Sequence, residues 1–134
     1  MKKRLFAVLM LLAGFSVAGI PLSAHHGRGN VYNMETPITL VGTVTEVAWR
    51  NPHVLVYMNV ENDSGEVVRW AFENSSVNTL AEQGYNRNTL RPGQDITAII
   101  NPSRAGAPTG IVLAVVLEDG TEIMSRRRGE NPID

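Results

Sequence analysis

From Ile38 to Met124 the apolar residues recur mainly with a period of two and are interrupted by turn residues, which commits this stretch to β-structure. The clearest case is the segment ending at Val60. Val54, Val56, Met58 and Val60 share one face, and His53, Leu55, Tyr57 and Asn59 share the other. Glu61 to Glu66 reads as a hairpin loop, after which Val68, Trp70 and Phe72 point inward and Val67, Arg69, Ala71 and Glu73 outward. An earlier strand spans Ile38 to Trp49. Leu40 and Val44 lie in one phase and Val47 and Trp49 in the other, so a bulge or sharp coil is expected between Gly42 and Glu46. Arg50-Asn51-Pro52 supplies the turn into the second strand.

One short helix interrupts the strands. Ser75 or Ser76 can cap it, Val77, Leu80 and Ala81 form its apolar stripe, and Gly84 ends it. A fourth strand, Asp95 to Asn101, buries Ile96, Ala98 and Ile100. A loop rich in Gly and Pro, Pro102 to Gly110, leads to a fifth strand, Ile111 to Leu117, which is apolar on both faces and therefore central or covered. Glu118-Asp119-Gly120-Thr121 turns the chain into a last short strand. Three strands, a helix and two strands is the order of an OB-fold. The expected class is all-β, a small five- to six-stranded OB-fold-like barrel with one short helix between strands 3 and 4. The alternative is another small barrel or sandwich in which the helix does not plug the end. In an OB-fold, ligands sit on the face of strands 2 and 3, between the loop joining strands 1 and 2 and the loop joining strands 4 and 5.

The first residues carry a different message. Lys2, Lys3 and Arg4 precede an apolar run from Leu5 to Ala18, Gly19-Ile20-Pro21 breaks any helix, and Ser23-Ala24 offers a small-residue cleavage site. Residues 1–24 therefore read as a signal peptide and the destination as the periplasm or the exterior. The run is too short for a comfortable membrane span, so no stable membrane anchor is expected after cleavage, an uncleaved anchor being the alternative. Cleavage after Ser23 or Ala18 competes with cleavage after Ala24. Residues 25–37 follow as an extended polar leader, 38–124 as the barrel domain, and 125–134 as a polar, disordered tail.

Both lysines lie in the signal. The remainder carries nine arginines against thirteen carboxylates, a net charge of about −4, which argues against nucleic acid as a partner. The absence of cysteine removes disulfides, thiol chemistry and c-type haem attachment. No nucleophile elbow, phosphate loop or His-Glu-x-x-His helix occurs, so the chain leans away from enzymes.

The chain resembles a family of small exported bacterial proteins known only as a domain of unknown function. The likeness rests on Ala24-His25-His26-Gly27, Leu40-Val41-Gly42-Thr43-Val44, Trp49-Arg50-Asn51-Pro52-His53, Trp70-Ala71-Phe72-Glu73, Leu90-Arg91-Pro92-Gly93-Gln94-Asp95 and Asp119-Gly120, in that order. The resemblance implies export and an OB-like barrel, and it implies no activity.

Three histidines are the only grouping suited to metal chemistry. Cleavage after Ala24 would make His25 the amino terminus, whose α-amine has a pKa of about 8 and whose ring nitrogen can close a chelate with it. His53 or His26 would complete a three-nitrogen site, a donor set that favours copper, then nickel or zinc. Cleavage after Ser23 would instead place His26 third, suited to a square-planar site. Glu73 shares the outer face with His53 and can hold its ring or ligate directly. If Val60 pairs with Val68, Glu73 stands opposite Leu55; if it pairs with Glu66, Glu73 stands opposite His53. Arg69 would compete for Glu73 in either case.

A second, non-metal reading makes Trp49, Arg50, Asn51, Tyr57, Arg69 and Arg104 a face for a small ligand or a periplasmic protein, with Arg50 and Arg104 as anion clamps. A copper-dependent oxidative enzyme is the third reading. The competing reading makes the His pair a plain polar leader and His53 a residue that only satisfies its own turn.

Overall fold

The structure is a computed structural model and describes residues 28–124. The signal, His25, His26 and the tail 125–134 lie outside the described residues. The element order is α1 (Arg28–Val31), β1 (Ile38–Ala48), β2 (Leu55–Glu61), β3 (Val67–Glu73), α2 (Val77–Glu82), β4 (Asp95–Pro102), β5 (Thr109–Leu117) and β6 (Glu122–Ile123).

Alternation decides the faces. Val54, Val56, Met58, Val60 and Phe72 are buried and belong to one core, which Val44, Ile96, Ala98, Ile100, Val112 and Val115 complete from the other strands. Antiparallel pairing runs β3-β2-β1-β4-β5-β6. Parallel pairing of β3 with β5, at Ala71↔Thr109, Phe72↔Gly110 and Glu73↔Ile111, closes the first five strands into a barrel. This is the expected all-β barrel, with β6 as an added strand and α2 between strands 3 and 4.

The phase change in the first strand is a bulge. Val44 pairs with Met58 but Glu46 pairs with Tyr57, so Thr45 is extra and β1 can turn from β4 to β2. Gly42 sits where β1 crosses β2 most closely. A Cβ there would strike the Asn59 carbonyl oxygen and come within 2.9 Å of Met58 Cε. A second bulge, between Ile99 and Ile100, leaves Leu113 unpaired in β5.

Ser76 caps α2, its hydroxyl accepting from the Thr79 amide at 3.2 Å, and the chain leaves through Gly84 at φ +87°. Leu80 enters the core, whereas Ala81, expected in the apolar stripe, is exposed. Leu80 is the one buried residue of the helix, and Val77 packs half-buried against the same core.

Candidate functional site

The second hairpin fixes the corner where the site lies. Its register is Val60↔Val68, so Leu55 stands opposite Glu73. Asn62 selects this register. Its side-chain Oδ1 accepts from the Ser64 and Glu66 amides at 3.0 and 2.9 Å, and Gly65 takes φ +80°, which closes a loop of fixed length. Beyond the strand ends the ladder continues. The Asn74 amide donates to Val54 at 2.8 Å and the Val54 amide to Ser75 at 3.0 Å. Asn74 is buried, and its side chain donates to Met124 Sδ at 3.2 Å and accepts from the Ser75 amide at 2.7 Å. These bonds hold His53 one diagonal step from Glu73. His53 Nδ1 lies 3.0 Å from Glu73 Oε1, within reach of a long side chain across a twisted pair.

The other carboxylate oxygen meets a residue that the sequence did not single out. The Tyr32 hydroxyl donates to Glu73 Oε2 at 3.3 Å. One carboxylate therefore joins three segments: the leader, the start of β2 and the end of β3. Tyr32 is a lone aromatic in a polar stretch, and that contrast was the only signal available for it.

The leader is not extended throughout. Residues 28–31 make one helical turn, Tyr32 bridges Ser103, and the Asn33 amide donates to the Pro102 carbonyl at 2.8 Å. Asn33 then reverses the chain toward β1, its side chain accepting from the Glu35 and Thr36 amides at 3.1 and 3.3 Å. Asn101, Ile111 and Glu73 stand side by side across β4, β5 and β3. Asn101 and Ile111 are both buried although Ile111 lies outside the barrel core, and Met34 Sδ is 3.5 Å from Asn101 Nδ2. The leader thus covers this row, on which Ile111 is the one β5 residue.

The remaining candidate residues divide. Arg69 does not compete for Glu73. Its guanidinium is 2.8 Å from Glu46 and lies over the Tyr57 ring, 4.7 Å from the centroid, on the same outer face. Asn51 faces α2, where its side chain accepts from the Val77 amide at 3.2 Å, and the Asn51–Pro52 bond is cis. Trp49 is half-buried against the core rather than presented to solvent, and Arg50 is exposed. Arg104 Nε donates to the carbonyls of Gly29 at 2.9 Å and Tyr32 at 3.1 Å, so that nitrogen binds the leader. Among the described residues there is no cluster of three His, Cys, Asp or Glu.

Comparison with known families returns one model, described as a family of unknown function, DUF6152, which matches residues 13–114. The chain belongs to the DUF6152 family. No curated protein matches it. The DUF6152 match takes in the leader, the Asn-Pro-His corner and Glu73, so the whole candidate site lies within it.

Proposed function

We propose that this DUF6152 protein is an exported binding protein of the periplasm or exterior, and that its site is a copper-type metal centre at the His53–Glu73 corner. His53 would contribute an imidazole, the amine and ring of His25 a chelate, and His26 the alternative imidazole, with Glu73 orienting or ligating. The observation that carries this reading is the return of the leader to the corner, where the Tyr32 hydroxyl reaches the carboxylate that holds His53.

Two arguments support it. A carboxylate on Nδ1 fixes the imidazole so that Nε2 is the ligating nitrogen, the arrangement usual for metal-bound histidine. Chain length does the rest: five residues lie between His26 and Tyr32, four of them in α1, so the reach is about 13 Å, from about 1.5 Å per helical residue and 3.6 Å per extended one. Amine and imidazole donors without thiolate suit copper(II). Export is supported by the charged, apolar and small-residue succession in residues 1–24.

The test is copper titration of the exported protein, its first residue fixed by intact mass. His25→Ala and His53→Ala should each weaken binding at least about tenfold. Affinity unchanged in both variants discards the metal centre. The second reading, a small-ligand or protein-interaction module, would then stand on the Arg69–Tyr57 stack, which occupies the face where OB-folds take ligands.

A further inference from the structure

Asn101 is 1 % exposed, and its carboxamide is poorly satisfied at both ends. Oδ1 is the one buried side-chain oxygen without a hydrogen-bond partner among the described residues, and Nδ2 donates only to the thioether of Met34, with Sδ at 3.5 Å. A thioether is a weak acceptor, so a single weak bond holds this buried amide, and a stronger acceptor would recover free energy. Met34 follows Asn33 in the leader, whose amide bonds the Pro102 carbonyl. It is 39 % exposed, whereas Met58 is fully buried and Met124 is 2 % exposed. Met34 is therefore the one described methionine that both meets solvent and touches a buried donor.

We propose that Met34 is an oxidation site for peroxides, and that its sulfoxide fastens the leader to the barrel instead of freeing it. The Sδ lone pair attacks one peroxide oxygen, the S–O bond forms and the O–O bond breaks. The sulfur gives up two electrons, and hydrogen peroxide leaves as water. A sulfoxide oxygen is a strong acceptor where the thioether was a weak one. From a sulfur 3.5 Å away, an oxygen tilted off the sulfur–nitrogen line comes within the usual N–H···O distance of about 2.9 Å from Nδ2 without moving the sulfur. Of the two sulfoxide epimers, one directs its oxygen at Asn101. Methionine oxidation commonly disrupts the contacts of the side chain; here the buried donor reverses the sign. A methionine sulfoxide reductase would restore the thioether. Neither His53 nor Glu73 takes part in this contact, so the site stands apart from the metal reading.

The experiment treats the folded protein with dilute hydrogen peroxide, maps the sulfoxide by peptide mass spectrometry, and follows amide exchange and the Asn101 side-chain amide by NMR. Met34→Leu, at an exposed position, keeps the bulk and cannot be oxidised there. Met34 should take up oxygen at least about tenfold faster than Met58 or Met124. In the epimer that faces Asn101, the Asn33 amide should exchange about fivefold more slowly, and the Asn101 Nδ2 protons should move downfield. Peroxide should change neither signal in Met34→Leu. Oxidation of Met58 or Met124 as fast as that of Met34 overturns the site. Asn33 exchange that is unchanged or faster in both epimers overturns the fastening, and so does a slowing that persists in Met34→Leu.

Discussion

Two side-chain pairs sit on the outer face of the sheet around the β2–β3 hairpin, His53–Glu73 at its end and Arg69–Glu46 between β3 and β1, and only one of them is covered. His53 and Glu73 are 3.0 Å apart with side chains 36 % and 20 % exposed; Arg69 and Glu46 are 2.8 Å apart at 54 % and 56 %. The distances barely differ. The surroundings do, because the leader lies across one end of the face, brings Tyr32 to Glu73, and buries Asn101 and Ile111 in the same row. An exposed ion pair contributes about 0–1 kcal/mol and can rearrange at little cost. A carboxylate shared by three chain segments fixes the orientation of what it holds. The covered pair is therefore the one able to preorganise a ring for ligation, and the open pair is a surface feature held partly by the Tyr57 face.

The largest perturbation removes what both pairs stand on. Phe72 is fully buried, pairs with Val56 and Gly110, and lies between Ala71 and Glu73 on β3. Phe72→Ala should cost about 4 kcal/mol in denaturant unfolding and disturb both ends of the face. Next comes the covered end alone. Tyr32→Phe keeps the ring and deletes the hydroxyl on Glu73, and should cost about 1 kcal/mol while speeding exchange of the leader amides. The open end should respond least: a double-mutant cycle on Glu46 and Arg69 should return a coupling of about 0.5 kcal/mol or less. A coupling larger than the Tyr32→Phe loss would mean that cover does not distinguish the two pairs, and the comparison would collapse.

Most of the frame was legible in the sequence because period-two burial specifies strands directly. The bulge near Thr45 could be read from the phase slip between Leu40 and Val47, and the order of elements pointed to the barrel. The register of the second hairpin could not be read, since both candidates preserve parity; Asn62 and the loop geometry decide it. The His53–Glu73 contact was anticipated in either register, and the observed one, with Leu55 opposite Glu73, makes it diagonal. The pairing of Arg69 with Glu46 was missed because the β1 bulge sets which β1 side chain faces β2 and β3. The docked leader was missed for a different reason. Its bonds are backbone carbonyls meeting Arg104 and a bridge to Ser103, which leave no periodic trace in a polar segment.

A third carboxylate extends the comparison to full exposure, with no cation paired to it among the described residues. Asp119, in the turn after β5, accepts from the Thr121 amide at 2.8 Å, and this bond, with a further one from the Thr121 side chain, holds its carboxyl below the usual carboxylate range. A carboxyl depressed in the folded state adds stability above its unfolded pKa of about 3.9 and loses it as pH falls through the lower folded value. Asp119→Asn keeps an acceptor oxygen for the Thr121 amide but carries no charge at any pH. Wild type should therefore melt slightly above the variant at pH 6, and the gap should narrow as pH falls below about 4. Melting curves of the two proteins across pH 2–7 measure it. A gap that stays constant with pH would show that the amide bond, and not the charge, accounts for the difference. Exposed carboxylates in this barrel would then count for still less than the open Arg69–Glu46 pair suggests.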